Sequence, residues 1–148
     1  MKRNQTSLVS IVLVVLLALF GGSQVLNDNA APASTGPIIE PTAIAAYLFE
    51  HGKLPDNFIT KKEAESLGWD SRKNHVSDVA PGKSIGGDHY GNYEKLLPME
   101  KGRTWQECDC NYVEGPRNAY RICFSNDGLV YYSDDHYKSF TPMEAPEK

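Results

Sequence analysis

The sequence predicts an α+β fold, with helices first and an antiparallel sheet second. Two observations predict it. Apolar residues at helical spacing, bracketed by capping residues and glycine, occupy much of the stretch from Pro41 to Gly68. Strand-like runs follow between Tyr93 and Tyr137, separated by turns that contain Gly and Asn. Helices that precede the strands, rather than alternating with them, give an α+β layout and not a parallel α/β sheet.

At 148 residues, with 41% apolar and 23% charged side chains, the chain is sized for one domain plus accessories. Lys2 and Arg3 precede an apolar run from Leu8 to Phe20 that only Ser10 interrupts. The run suits the core of a signal peptide and falls short of the roughly 20 residues that a bilayer span needs. Residues 1–22 are therefore expected to direct secretion and be removed. Ala31-Pro32-Ala33 has the small-x-small pattern of a cleavage site but lies far from the run, whereas Gly21-Gly22-Ser23 is nearer and less typical. An uncleaved anchor, extended by Val25 and Leu26, is the alternative. Residues 23–40, rich in Ala, Pro, Ser, Asn and Gly, read as a flexible linker or pro-segment. The folded body is expected over 41–143, with a polar tail at 144–148.

Within the body, Pro41 to Gly52 reads as a helix. Glu40 and Thr42 are its capping candidates, Ile44, Tyr47 and Leu48 its apolar positions, and Gly52 its stop. Lys53-Leu-Pro-Asp-Asn-Phe-Ile59 is a turn-rich connection. Thr60 then caps a second helix, Glu63 completes a capping box, and Gly68 ends it. Val76 to Ala80 fits one more helical turn. Pro81 to Asp88 reads as a loop, which puts the start of the sheet near Tyr93.

The strand around which the rest is organised is Gly102 to Asp109. Alternation places Trp105, Glu107 and Asp109 on one face and Thr104, Gln106 and Cys108 on the other. Two carboxylates two residues apart on one face repel each other unless cations stand opposite. The next run, Asn118 to Phe124, brings Arg121, with Arg117 just before it, and a third, Leu129 to Tyr132, leads into Asp134-Asp135-His136-Tyr137. Carboxylates, guanidiniums and an imidazole on consecutive strands suit acid–base chemistry on a polyanion. A solvated surface ion-pair network is the plainer alternative. The chain's formal charge of −4 has the wrong sign for drawing in a polyanion, so attraction has to come from local clustering of Lys and Arg.

Three cysteines in an exported chain leave at least one unpaired or bridged to another chain. Alternation puts Cys108 and Cys110 opposite Glu107, whereas Cys123 shares the face of Arg121, an arrangement that disfavours a bridge from Cys123 to either. Cys-x-Cys without a second ligand pair is a poor metal site. All three are expected as apolar packing residues, and neither metal nor cofactor is expected.

From about Ile44 to Thr141 the chain resembles the secreted bacterial ribonucleases of the barnase type. The most specific segments are Lys53-Leu-Pro-Asp-Asn-Phe-Ile-Thr-Lys61, Val79-Ala-Pro-Gly-Lys-Ser-Ile-Gly-Gly-Asp88, Gly102-Arg-Thr-Trp-Gln-Glu107 and Asp135-His-Tyr-Lys138. The resemblance implies helices packed on one face of a twisted antiparallel sheet and an active site on the other. It also implies Glu107 as general base, His136 as general acid, and Lys61, Arg117 and Arg121 as phosphate-binding cations. Tyr137 matches the family's active-site tyrosine. Asp109 is a support that directs the arginines, and Asp88 a structural acid behind the lysine. Tyr90 to Glu94 resembles the guanine-binding loop, with Asn92, Tyr93 and Glu94 as its candidates. The chain departs from the family where relatives commonly carry arginine in place of Tyr93 and Gln106 and an aromatic residue in place of Pro116. The loss of cations implies weaker phosphate steering outside the core site.

The function so implied is a secreted, monomeric endoribonuclease that cleaves single-stranded RNA, preferentially after guanosine. Cleavage would run by metal-independent acid–base transesterification through a 2′,3′-cyclic phosphate, and a small acidic intracellular inhibitor protein is the expected partner. The alternative is a non-catalytic or membrane-tethered RNA- or nucleotide-binding descendant. The presence of both Glu107 and His136 favours the enzyme.

Overall fold

The computed structural model describes residues 36–147. The segment read as signal peptide and most of the linker lie outside the described residues. Among the described residues no helix is long and apolar enough to cross a membrane. The end of the expected linker is held against the body. Asn57 Nδ2 donates to the Ile38 carbonyl at 2.9 Å, and the Asn111 amide donates to the Ile39 carbonyl at 2.7 Å.

Helix α1 spans Pro41–His51 with proline in its first turn, and Glu40 at its N-cap makes no side-chain cap bond. Gly52 ends it at φ 72°, its amide donating to the Leu48 carbonyl, a left-handed cap that glycine adopts without a Cβ clash. Strand β1, Phe58–Ile59, leads into α2, Lys61–Ser66. The capping box predicted for α2 is present, with Thr60 Oγ1 accepting from the Glu63 amide and Glu63 accepting from the Thr60 amide. The short α3, Val76–Val79, is where a helical turn was expected.

The sheet has six strands in sequential order. Ser84–Tyr90 is β2, Trp105–Asp109 is β3, Arg121–Ser125 is β4, Val130–Ser133 is β5 and Thr141–Met143 is β6. Among the described residues only β1 and β2 pair in parallel. The expected loop at Pro81 to Asp88 is therefore corrected. It holds most of β2, and the sheet begins well before Tyr93.

The reason β2 escapes the pattern is a bulge. Gly86 faces Cys108 and Asp88 faces Glu107, so one extra residue, Gly87 at φ 101°, is inserted between them. A Cβ on Gly86 would stand 2.6 Å from Phe58 Cδ1 and 2.7 Å from Cys108 Cβ, so the neighbouring layers leave room for no side chain. The slip moves Asp88 from the face of Gln106 to the face of Glu107.

Two apolar clusters lie on the helix side. Ile44, Ala45 and Leu48 of α1 pack on Cys108, Ile122, Phe124 and Val130, while Ala64, Trp69, Val76 and Ala80 pack with Ile85 and Tyr112. A third cluster of Leu97, Trp105 and Cys123, with Tyr90, Tyr131, Tyr137 and Phe140 against it, lies on the other face. All three cysteines are buried and unbridged, as the packing expectation had it. Burial is the main reason their thiols resist ionisation, and it pushes Cys110 up to about 12.

Candidate active site

Glu107 in β3 stands opposite Asp88 on one side and Cys123 on the other, on the face away from α1. It is half-buried, and Tyr137 Oη donates to its Oε1 at 2.7 Å. Oε2 has no hydrogen bond among the described residues, so one carboxylate oxygen is oriented while the other is left open. Burial first, and the bond to Glu107 second, push the Tyr137 phenol well above its ordinary value, so it remains a donor.

Two positions along β3, Asp109 is fully buried and carries the cations. Arg117 Nε and Nη2 donate to its two oxygens at 2.8 Å each, a fork-to-fork pair that raises the guanidinium's affinity for its proton. Arg121 faces Asp109 across β3 and β4, with Nε 3.2 Å from Oδ1. The Nε–H is not aligned on that oxygen, so the contact is an ion pair without a hydrogen bond. Arg121 Nη1 is committed to the Asn118 and Tyr120 carbonyls at 2.7 and 2.8 Å. Two guanidiniums on one carboxylate leave this end of the face locally positive within an acidic chain.

The loop that carries Arg117 is braced to α3. Ser77 and Tyr112 exchange bonds with it: Gly115 N donates to Ser77 Oγ, and Tyr112 Oη donates to the Gly115 carbonyl at 2.7 Å. Lys61 opens α2, and its backbone amide donates to Asp88 Oδ2 at 3.0 Å. Asp88 thus stands behind the lysine through the main chain. The Lys61 ammonium has no salt bridge among the described residues.

His136 is exposed and lies beyond β5 in a tight loop, not on a strand. It and Tyr137 both have positive φ, 58° and 74°, a strained pair for residues with side chains. Asp135 holds them there. Its carboxylate accepts from Ser133 Oγ, the Lys138 and Ser139 amides and Ser139 Oγ at 2.6–3.0 Å, bonds that lower its own ionisation to about 2. The sequence reading gave Asp135 no such role, although an Asp that bonds nearby backbone groups is a common turn device. Tyr137 also stacks on Tyr90 at 5.0 Å between centroids, tying the His136 loop to the start of the expected base-recognition loop.

In that loop Asn92 sits at φ 53° and is buried. Its side chain turns inward, donating to the Leu97 carbonyl at 3.0 Å and accepting from the Leu97 amide at 3.1 Å. The Asn92 side chain thus shapes the loop, and its backbone is what it could offer a base. Glu94 is exposed, and Tyr93 is 85% exposed with its ring laid over Gly91, where any Cβ would collide with it. Gln106 lies on the helix-side face of β3, beside a cavity of about 720 Å³ that also touches Phe58 and Phe124. A charge at this position would therefore lie off the face of Glu107. Among the described residues no group of three His, Cys, Asp or Glu side chains is placed to hold a metal.

The structure is an open α+β sheet with helices on one face and, on the other, a half-oriented carboxylate flanked by guanidiniums. A ribonuclease family profile matches residues 42–144. Ribonucleases of Bacillus intermedius and Bacillus pumilus are each 53% identical over 98 residues, 66% of this chain and 60% of theirs. A ribonuclease of Heyndrickxia coagulans is 53% identical over 97 residues, 66% of this chain and 89% of its own length. The chain thus matches over less than two thirds of the length of the two Bacillus relatives. It belongs to the ribonuclease family.

Proposed function

We propose that the protein is an endoribonuclease that cleaves single-stranded RNA, preferentially after guanosine, through a 2′,3′-cyclic phosphate. The observation that carries the reading is Glu107, with one oxygen oriented and one open, on the same sheet face as the Arg117–Asp109–Arg121 group. Glu107 takes the proton of the ribose 2′-hydroxyl, whose oxygen then attacks phosphorus. The 5′-oxygen leaves with a proton from the His136 imidazolium. Arg117, Arg121 and Lys61 hold the phosphate as charge builds on its oxygens, worth more on a partly buried face than in water. Acid, base and electrostatic stabilisation all come from side chains, so the step as written uses no metal.

Guanine recognition rests on the loop from Tyr90 to Glu94. With the Asn92 side chain turned inward, the base edge would meet backbone amides and the Glu94 carboxylate, while Tyr93 offers a ring for stacking. Secretion as a monomer and restraint by a small acidic inhibitor inside the producing cell complete the proposal. Incubation of the purified body with the dinucleotide GpU in EDTA tests it. Guanosine 2′,3′-cyclic phosphate is the expected product, and intact GpU after prolonged incubation overturns the reading.

A further inference from the structure

The loop at Tyr90 to Glu94 is closed by sulfur as well as by oxygen. Asn92 is buried, and its side-chain amide nitrogen has two acceptors. Nδ2 donates to the Leu97 carbonyl at 3.0 Å and to Met99 Sδ at 2.9 Å, while Oδ1 accepts from the Leu97 amide. The Asn92 carbonyl in turn accepts from the Lys95 amide at 2.9 Å. Asn92 and Lys95 both sit at positive φ, 53° and 60°, a conformation that residues with side chains keep only where their surroundings hold it. Met99 thus satisfies the second N–H of the side chain that shapes the loop. It does so from the surface, for it is 61% exposed. The other sulfurs of the described residues are better protected. Cys108, Cys110 and Cys123 are buried and unbridged, and burial keeps their thiols protonated and unreactive. Met143 packs against the helix-side cluster, and Met1 lies outside the described residues.

We propose that Met99 is a site of oxidative modification by hydrogen peroxide, and that its sulfoxide loosens the loop around Asn92 and lowers the preference for guanosine. The effect on guanosine rests on the base-recognition reading made above, whereas the modification and the loosening do not. A thioether reacts without ionising, so its exposure governs its rate. The Met99 sulfur attacks one peroxide oxygen, and an S–O bond forms as the O–O bond breaks. The sulfur is oxidised by two electrons and the peroxide reduced. The leaving hydroxide takes the proton of the transferred oxygen and departs as water. A sulfoxide oxygen does not fit into the 2.9 Å between Sδ and Asn92 Nδ2, so oxidation on that side pushes the two groups apart. Oxidation on the other side draws electrons from the sulfur and leaves it a poorer acceptor. Either way the contact as it stands is lost, and a buried N–H goes without its partner. Asn92 then has fewer bonds to hold it at positive φ, and the backbone amides on either side of it lose their fixed directions.

The test treats the purified protein and its Met99→Leu variant with increasing hydrogen peroxide and reads three quantities. Peptide mass spectrometry should find the sulfoxide at Met99 before Met143. Hydrogen exchange at the Leu97 and Lys95 amides, both of which donate to Asn92, should quicken in the oxidised protein. The ratio of kcat/KM for GpU to that for ApU should fall roughly three- to tenfold, the size expected of one lost hydrogen bond in the loop. Methionine sulfoxide reductases of both epimer specificities should restore exchange and ratio together. In Met99→Leu, which has no thioether to oxidise, peroxide should change neither quantity. The ratio in untreated wild type reports guanine preference by itself. A value near one counts against that preference, and the mass and exchange measurements still decide the modification and the loosening. Oxidation of Met143 ahead of Met99 overturns the proposal. So does unchanged or slower exchange after Met99 is oxidised, or a loss of the same size in Met99→Leu.

Discussion

Glu107 and His136 are the proposed base and acid, and the structure positions them by different means. Glu107 is oriented by one bond from Tyr137, so Glu107→Ala removes the base and lowers cyclic-phosphate formation by at least about 10²-fold. Near-normal turnover by that variant, measured on GpU, contradicts the assignment. Arg121 has a double duty that its sequence did not reveal. It is 3% exposed and spends Nη1 on two backbone carbonyls while lying against Asp109. Arg121→Lys therefore loses turnover and also stability, on the order of 3 kcal/mol in urea unfolding, because the shorter reach of one ammonium leaves buried acceptors unpaired. An unchanged unfolding midpoint would show that the carbonyl bonds are dispensable. Asp135 gives a test in pH. Its carboxyl ionises near 2 in the folded protein, below the 3.8 of an ordinary aspartate, so it stabilises fully above about 3.8. That contribution fades as pH falls toward 2. The difference in melting temperature between wild type and Asp135→Asn should shrink over this window, and a constant difference contradicts the hydrogen-bonding role given to Asp135.

At the scale of elements, the helices were legible and the first long strand was not. Thr60 and Glu63 announce α2 because a capping box is local chemistry, complete within four residues. Strand β3 was legible from its alternation, and with it the shared face of Glu107 and Asp109. Strand β2 hides because Gly86 and Gly87 supply no side chains to alternate and the bulge shifts the period between them. The consequence is functional as well as structural. The bulge turns Asp88 onto the face where it binds the amide of Lys61. The inward Asn92 was likewise hidden, since its partners at Leu97 are set by a loop closure that no periodicity reports. Gly86→Ala should cost about 1–3 kcal/mol, because its Cβ would stand 2.6 Å from Phe58 Cδ1 and 2.7 Å from Cys108 Cβ. Thermal or urea unfolding checks it, and a wild-type midpoint in the variant would mean that the layers part at little cost.

For the whole molecule the governing fact is a division of faces. Helix α1 and its apolar cluster cover one side of the sheet, which leaves the other free to carry charge. That division also explains how a chain of formal charge −4 comes to present a locally cationic place. The two arginines share a single buried carboxylate instead of being neutralised one by one. The exposed loop that holds His136 and the half-buried strand that holds Glu107 meet through Tyr137, which stacks on Tyr90 and bonds Glu107. Cleavage on this account needs Glu107 ionised and His136 protonated in the same molecule, so kcat/KM is bell-shaped in pH. The most direct measurement is that profile for GpU in wild type and in His136→Ala. The account predicts a bell for the wild type and a residual activity in the variant whose basic limb has disappeared. A basic limb that survives in His136→Ala would show that another group delivers the proton to the leaving oxygen, and the division of roles argued here would be wrong.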